Sequence, residues 1–420
     1  MSRPLNLTHR INQHLPPYLA ELTRQVGEVA ARQGLPLYLV GGVVRDLLLG
    51  RPTRDIDLVV EGDAIGLAEH LLAMLDGRIT VHPRFRTASL RWNNWRLDLA
   101  TARAETYSRP GALPTVTPGS LADDLRRRDF TINAMAVYLR PERYGQLIDR
   151  FGGRTDLAQG LIRVLHDASY VDDATRIWRT LRYEQRLDFQ IEERTLAALR
   201  RDLDYLRTVS GDRIRRELEL VLREAEPEKV LRRAEELGVL ARLHPALRAD
   251  EWLADRFRRA RQVCGDTPPS PALYLALMAY RLGEGDITTL ASYLKLPRAL
   301  ARVMRDSAAI RLRSRTLGTP GLRPSRTYAV LHGYAPVAIQ AAGLASDSPD
   351  IARNINLYLE RLRYIRPTLN GDDLLALGVP PGPAVREVSE RLRAARLDGR
   401  VSTRRGEESL VRRWLQRWQA

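Results

Sequence analysis

The sequence predicts an α+β protein, a head with a small mixed sheet over residues 1–150 followed by an all-helical remainder. Three observations carry that expectation. Residues 35–40 form an apolar strand that runs into Gly41-Gly42, a short helical stretch at 43–49 and a second strand bearing Asp55 and Asp57. Residues 80–82, 87–92 and 96–100 read as further short strands. From Glu193 onward almost every segment has helical spacing, with short turns between, as at 195–203, 212–223, 227–237 and 271–282.

Taken in order, residues 15–34 set Leu19, Leu22, Val26 and Val29 at helical spacing, an amphipathic helix for the head to pack. In the second strand side chains alternate, so Ile56 and Leu58 face the core while Asp55 and Asp57 share the other side. Two carboxylates projecting together repel unless a cation lies between them, and a hard divalent ion such as Mg2+ suits that place. Paired glycines before a helix leave N–H groups aimed outward, which suits a phosphate. Together these features point to metal-assisted chemistry on a nucleotide.

Residues 63–75 read as a helix opened by Gly62-Asp63. The strand at 96–100 carries Asp98, either a third carboxylate for the pair or a partner for Arg96 or Arg103. Residues 107–119, punctuated by Pro110, Pro114, Pro118, Gly111 and Gly119, read as a loop. Ser120 and Asp123 suit a capping box at the start of the next helix.

The bulk composition narrows the partners. The 420 residues leave room for two to four domains, and the net charge of +16 suits a polyanion, nucleic acid before membrane. Lys229 and Lys295 are the only lysines, so the positive charge is almost all arginine, which forks onto phosphate and stacks on bases. The single cysteine, Cys264, excludes an internal disulfide and a Cys-rich zinc site and fits a reducing compartment. No stretch approaches the roughly 20 apolar residues of a membrane span, and the first residues lack the apolar run of a signal peptide. A cytoplasmic protein is expected.

Gly41-Gly42, then Arg45-Asp46, then Asp55 and Asp57, resembles the nucleotidyltransferase head of the class II tRNA CCA-adding and poly(A) polymerase family. Arg127-Arg128-Asp129-Phe130-Thr131-Ile132-Asn133-Ala134 is similar to the second signature of that family. The resemblance implies a polymerase-β-like head in which Asp55 and Asp57 hold Mg2+. It gives Gly41, Gly42, Arg45 and Arg128 contacts to the nucleotide's phosphates or sugar. Asp129 and Asn133 would lie near the ribose or hold the site in shape. Asp149, Gly152 and Asp156 match a third, weaker motif, a hinge leading to a neck at 151–225, a body at 226–318 and a tail at 319–420. His166-Asp167 spells a fragment of a metal phosphohydrolase motif, but the other histidines are scattered along the chain.

Asp173, Arg176, Arg179 and Arg182 recur three apart on a helix and so form one polar stripe, with Ile177, Leu181 and Leu187 contributing to a packing side. Cytosine and adenine each present an amino donor beside a ring-nitrogen acceptor. A carboxylate can accept from the first while a guanidinium donates to the second. Guanine and uracil present the reverse pattern and would leave both groups mispaired, which is costly. Asp173 and Arg176 could therefore select C and A with no nucleic-acid template, while Arg179 and Arg182 neutralise the triphosphate or support Arg176. The stretch matches the family's E-D-P-x-R-x-x-R-x-x-R motif in register. It departs at Asp172, Ala174 and Trp178, changes that could alter the size of the pocket.

In the helical half, Arg213, Arg215 and Arg216, then Arg256, Arg258, Arg259 and Arg261, then Arg298, Arg302, Arg305, Arg311, Arg313 and Arg315 make basic faces suited to phosphates. Residues 320–325 read as a linker or corner. Residues 369–383 and 393–401 resemble the tail of CCA-adding and A-adding enzymes, which holds the far end of the tRNA minihelix, and Asp372-Asp373 reads as a helix cap. The resemblance thus implies a template-independent RNA nucleotidyltransferase that builds or completes the 3′-CCA end of tRNA from CTP and ATP. The alternatives are a poly(A) polymerase, an enzyme adding only CC or only A, and a non-catalytic RNA-binding module that keeps the fold.

Overall fold

The computed structural model describes residues 5–53 and 55–419, and the chain divides into two units, Met1–Glu217 and Leu218–Ala420. The first unit opens with helices α1 (Thr8–His14) and α2 (Pro17–Arg32), then strand β1 (Leu37–Val40), α3 (Gly42–Leu48), β2 (Ile56–Val60) and α4 (Ala64–Leu72). Strands β3 (Arg78–His82), β4 (Thr87–Trp92), β5 (Trp95–Thr101), β6 (Arg103–Thr106) and β7 (Thr115–Pro118) follow. Next come α5 (Leu121–Arg126), β8 (Met135–Tyr138), β9 (Leu147–Asp149) and α6 (Gly153–Gln159). The unit ends with α7 (Ser169–Asp172), α8 (Thr175–Leu187), α9 (Glu193–Arg201) and α10 (Gly211–Val221), the last crossing the division.

Seven strands make one mixed sheet in the order β3-β4-β5-β2-β1-β8-β9. Only β2 and β5 run parallel; every other neighbouring pair is antiparallel. Period-two alternation sorts the side chains onto two faces. Leu37, Leu39, Ile56 and Leu58 join the core formed with α2, α3 and α4, whereas Tyr38, Val40 and Val59 join a smaller core with Leu121 and Leu125 of α5. Asp57, between Ile56 and Leu58, therefore shares the α5 side of the sheet.

The elements expected from sequence form with shifted ends. The helix expected at 15–34 is α2, entered through Pro17 at its first turn, where a missing N–H costs nothing. Ser120 and Asp123 form the reciprocal capping box of α5, and Asp63 caps α4. Part of the stretch expected to be a loop is a strand. Thr115–Pro118 pairs with β6 in an antiparallel ribbon, because the Thr-Val-Thr run has strand propensity that the flanking prolines mask. Pro118 is tolerated there as the terminal residue of a two-stranded ribbon.

The second unit is helical throughout its described residues, with helices such as Pro227–Glu236, Glu251–Cys264, Pro271–Ala279, Arg298–Arg311, Pro336–Ala345 and Pro383–Leu397. Asn370 caps Gly371–Ala376 in a box with Asp373, so the Asp372-Asp373 pair belongs to a helix start, as its sequence suggests. Among the described residues no helix is long and apolar enough to cross a membrane.

Candidate active site

A cleft of about 580 Å³ lies within the first unit. Its walls include Gly42, Asp57, Arg128, Asp129, Asn133, Asp173, Arg176 and Arg179, residues drawn from four separate stretches of sequence. Asp57 and Arg128 also line a smaller cavity of about 310 Å³ together with Asp98, Ser89 and Arg96. Asp57 thus stands where two spaces meet.

The register explains the acidic group. Asp57 of β2 is the direct partner of Asp98 on the parallel strand β5, and Asp55 immediately precedes β2. Asp57 is open to solvent but hemmed in by the cleft walls. Desolvation raises its pKa, the Asp98 and Asp55 carboxylates raise it further, and Arg128 and Arg96 oppose them. Asp98 is paired with Arg96 at 2.7 Å, the structural partner expected of it, and also stands directly beside Asp57. Arg103 pairs instead with Glu105. Among the described residues no three acidic, histidine or cysteine side chains form a ready-made metal cage.

Gly41 begins α3 with φ of 78° and ψ of −131°, a backbone conformation open to glycine and strained for other residues. A Cβ there would also lie 2.5 Å from Nη1 of Arg128. Gly42 has no such restriction and simply borders the cleft. Arg128 is anchored by one nitrogen to the buried Asp124 at 2.9 Å, and Arg127 binds the same carboxylate and Glu105. The two guanidiniums hold the Asp124 carboxyl below its usual range against the opposing effect of burial.

A polar chain runs along the cleft wall and back from it to Arg45. Arg45 donates to both oxygens of Asp46 and, through Nη1, to Oδ1 of Asn133 at 2.7 Å. Asn133 Nδ2 donates to Oδ1 of Asp129 at 3.0 Å, and Arg179 forks onto Oδ2 of Asp129. Burial alone would raise Asp129, but Arg179 and Asn133 outweigh it and bring its pKa down to about 2. Three elements, α3, the 127–134 segment and α8, are thereby tied together. Arg45 is spent in this chain and against the Tyr183 ring, 5.2 Å from its centroid, and is absent from the cleft lining.

On the polar stripe, Asp173, Arg176 and Arg179 line the cleft, and Arg182 lies one turn further on, 4.0 Å from Glu217 and over the Tyr183 ring. Asp173 takes hydrogen bonds on Oδ1 from the N–H and hydroxyl of Thr175. Arg176 donates through Nη1 to the hydroxyl of buried Ser169 and through Nη2 to the carbonyl of Arg127. Ala174 and Trp178, where the motif departs from the family pattern, are fully buried and do not line the cleft.

The structure also brings in residues that sequence reasoning did not assign to this cleft: Glu105, Tyr107, Tyr183, Arg213, Arg216 and Glu217. A signal existed for Tyr183, four residues after Arg179 on the same helix face. Arg213 and Arg216 carry the same three-residue spacing as the stripe, but read as an outer basic face. The hinge motif is a fastening in this conformation: Asp149 accepts from the N–H groups of Gly153 and Arg154, and Asp156 binds Thr131 and Arg163. His166 faces Asp172 at 3.7 Å, and among the described residues it joins no group able to hold a metal ion.

A mixed sheet carrying clustered carboxylates, joined to helices that close a polar cleft over them, defines the class of nucleotidyltransferase heads followed by a helical chain. Residues 37–163 match the poly(A) polymerase head domain, and residues 188–251 match the probable RNA and SrmB-binding site of polymerase A. An A-adding tRNA nucleotidyltransferase of Geobacter sulfurreducens is 36% identical over 419 residues, covering 96% of this chain and 48% of that protein. The chain thus spans about half the length of that relative. An A-adding enzyme of Halalkalibacterium halodurans is 34% identical, with 91% and 89% covered, and a CC-adding enzyme of Deinococcus radiodurans is 33% identical, with 95% and 93% covered. Among solved structures, a CCA-adding enzyme in complex with ATP has a TM-score of 0.81 at 31% identity, with both chains covered completely. The Thermotoga maritima CCA-adding enzyme complexed with tRNA has a TM-score of 0.75 at 32% identity, covering 99% of this chain and 100% of that one. The chain belongs to the tRNA nucleotidyltransferase and poly(A) polymerase family.

Proposed function

We propose that the protein is a template-independent tRNA nucleotidyltransferase that builds or completes the 3′-CCA end from CTP and ATP, releasing pyrophosphate. The observation that carries this reading is a single cleft bordered by Asp57 and by the Asp173–Arg176 pair, so that one bound nucleotide can meet both. Its volume, about 580 Å³, accommodates a nucleoside triphosphate.

Asp55 and Asp57 are the residues to hold Mg2+, with Asp98 as a third donor. The donors fit: they are hard carboxylate oxygens, Asp57 and Asp98 stand side by side across the strand pair, and Mg2+ typically takes one or two carboxylates plus substrate phosphates rather than a full protein cage. When bound, Mg2+ would supply charge for the pyrophosphate leaving group and lower the pKa of the RNA 3′-hydroxyl. The remaining work falls to the chain itself. The N–H of Gly42 and the guanidinium of Arg128 face the phosphates, whereas the Gly41 N–H is spent on the carbonyl of Met135 at 3.2 Å and Gly41 serves by its backbone turn; Asp129, Asn133 and Arg45 hold these groups in register. Asp173 accepts from the amino group of C or A and Arg176 donates to the ring nitrogen, while Arg179 and Arg182 support that helix. Catalysis is then mainly positioning and charge neutralisation.

A narrower reading, addition of the terminal A alone, is favoured by the A-adding names of the Geobacter and Halalkalibacterium relatives. Incorporation of labelled CTP and ATP on tRNAs ending before, within and after the CC separates the readings. CTP addition to the shortest substrate supports full synthesis; ATP addition to tRNA-CC alone supports the narrower one; long A-tails would make the protein a poly(A) polymerase. Asp57→Ala and Asp55→Ala abolish incorporation while tRNA binding is retained, and substantial residual activity would remove that residue from the metal site.

A further inference from the structure

The base-reading pair of the proposed reaction is held from behind, and one of its holders lies outside every motif that defines the stripe. Arg213, on α10, reaches Oδ1 of Asp173 with Nη2 at 2.8 Å. The same Oδ1 already accepts from Thr175 N at 3.0 Å and Thr175 Oγ1 at 2.6 Å. Among the described residues Oδ2 accepts no hydrogen bond. One oxygen of the carboxylate is therefore saturated and the other left over in the cleft lining.

Ser169 performs the matching task on the other side. Its hydroxyl takes Nη1 of Arg176 at 2.7 Å, and its carbonyl takes the N–H of Asp173 at 3.2 Å. Arg213 differs from Ser169 in one respect: it lines the cleft itself, and its Nη1 is buried with no hydrogen-bond partner. A buried guanidinium N–H without an acceptor is costly, so this arm awaits one.

We infer that Arg213 is a specificity-determining positioning residue: it fixes Asp173 so that Oδ2 points to the nucleotide base. Its second arm completes the polar wall on which that base is read. The inference rests on the reading of Asp173 as the acceptor for the base's amino group. A carboxylate pinned at one oxygen cannot rotate to suit a base with the opposite pattern, so the pin contributes to rejection and not only to binding.

The test compares Arg213→Ala, Arg213→Lys and Asp173→Ala with the unaltered protein in single-nucleotide incorporation on tRNA. The readout is kcat/KM for each of CTP, ATP, UTP and GTP, with thermal unfolding measured alongside. Arg213→Ala should raise UTP or GTP use relative to the preferred nucleotide by about tenfold, the scale of one charge-assisted contact. KM for the correct nucleotide should rise more than kcat falls, and Arg213→Lys should recover part of the selectivity. A purely structural arginine would lower all four nucleotides in proportion and leave the ratio unmoved. Should the alanine variant fail to fold, the lysine variant carries the comparison, since it keeps the charge and loses the fork. An unchanged ratio in the Arg213 variants, with Asp173→Ala relaxed, overturns the inference alone. An unchanged ratio in Asp173→Ala removes the base-reading assignment and Arg213 with it.

Discussion

The two units use arginine in opposite ways. Around the cleft of the first unit, guanidiniums pair with carboxylates that water does not reach: Asp129 is 7% exposed beneath Arg179, and Asp124 is fully buried beneath Arg127 and Arg128. In the second unit many arginines lie on open helix faces. Arg258 pairs with a Glu251 that is 69% exposed, Arg259 shares Asp255 and Asp347, and Arg281 holds Asp250. Similar groups at similar distances differ in consequence. An exposed pair is screened and contributes about 0–1 kcal/mol, whereas removing one member of a buried pair strands a charge and costs about 3–5 kcal/mol. The second unit has its own exceptions, since Glu407 is buried against Arg396 and two backbone N–H groups. Depth, rather than the count of ion pairs, separates scaffold from surface.

Asp129→Ala should break this contrast most sharply. It leaves Arg179 with only the more distant Glu217 at 3.9 Å, and leaves Asn133 Nδ2 and the Phe130 N–H without their acceptor, so denaturant unfolding should report a loss of about 2–4 kcal/mol together with loss of activity. A loss below about 1 kcal/mol would put the pair in the same category as the surface ones. The acid limb of the stability curve sharpens the point. Asp129 is depressed to about 2 in the folded state, below its value in the unfolded chain, so its contribution is fully present above about pH 4 and disappears as pH falls toward 2. Asp129→Asn should flatten that limb of the curve, and an unchanged acid profile would contradict the assignment. Arg45→Lys comes next. Lysine keeps the charge but cannot serve Asp46 and Asn133 at once in a fork, and the expected cost is about 1–3 kcal/mol, with reduced activity.

What the sequence made legible follows the same division between local pattern and long-range depth. The strand–Gly-Gly–helix–strand order, the alternation that sets Asp57 against Ile56 and Leu58, and the capping box at Ser120 are properties of a few consecutive residues. They form as their residues dictate. The stripe was legible for the same reason, because helical spacing alone puts Asp173, Arg176 and Arg179 on one face. Which guanidinium faces the cleft and which is spent behind it is decided by partners far along the chain. Arg45 meets Asn133 across 88 positions and Arg179 meets Asp129 across 50. No periodicity encodes such pairings, so Arg45 looked like a cleft residue, and Arg213 and Arg216 looked like an outer basic face. The hairpin strand Thr115–Pro118 was hidden for a different reason, as turn-forming prolines outweighed a short β-branched run.

The smallest expected effect belongs to the surface pairs, and it tests the other half of the comparison. Arg258→Ala removes the partner of Glu251, yet Arg232 still reaches that carboxylate at 2.6 Å, and both groups stay hydrated. Neither side chain is left buried and uncompensated, so the unfolding midpoint should not move measurably. If this helix face contacts tRNA phosphates, the same variant should weaken binding and reduce its salt dependence by about one released counterion. Stability and RNA affinity then respond separately: a stability-neutral variant with a shallower salt slope identifies Arg258 as a phosphate contact, and one with an unchanged slope identifies a solvated arginine. A large stability loss would mean that depth does not govern the worth of these pairs, since this one is among the shallowest in the protein.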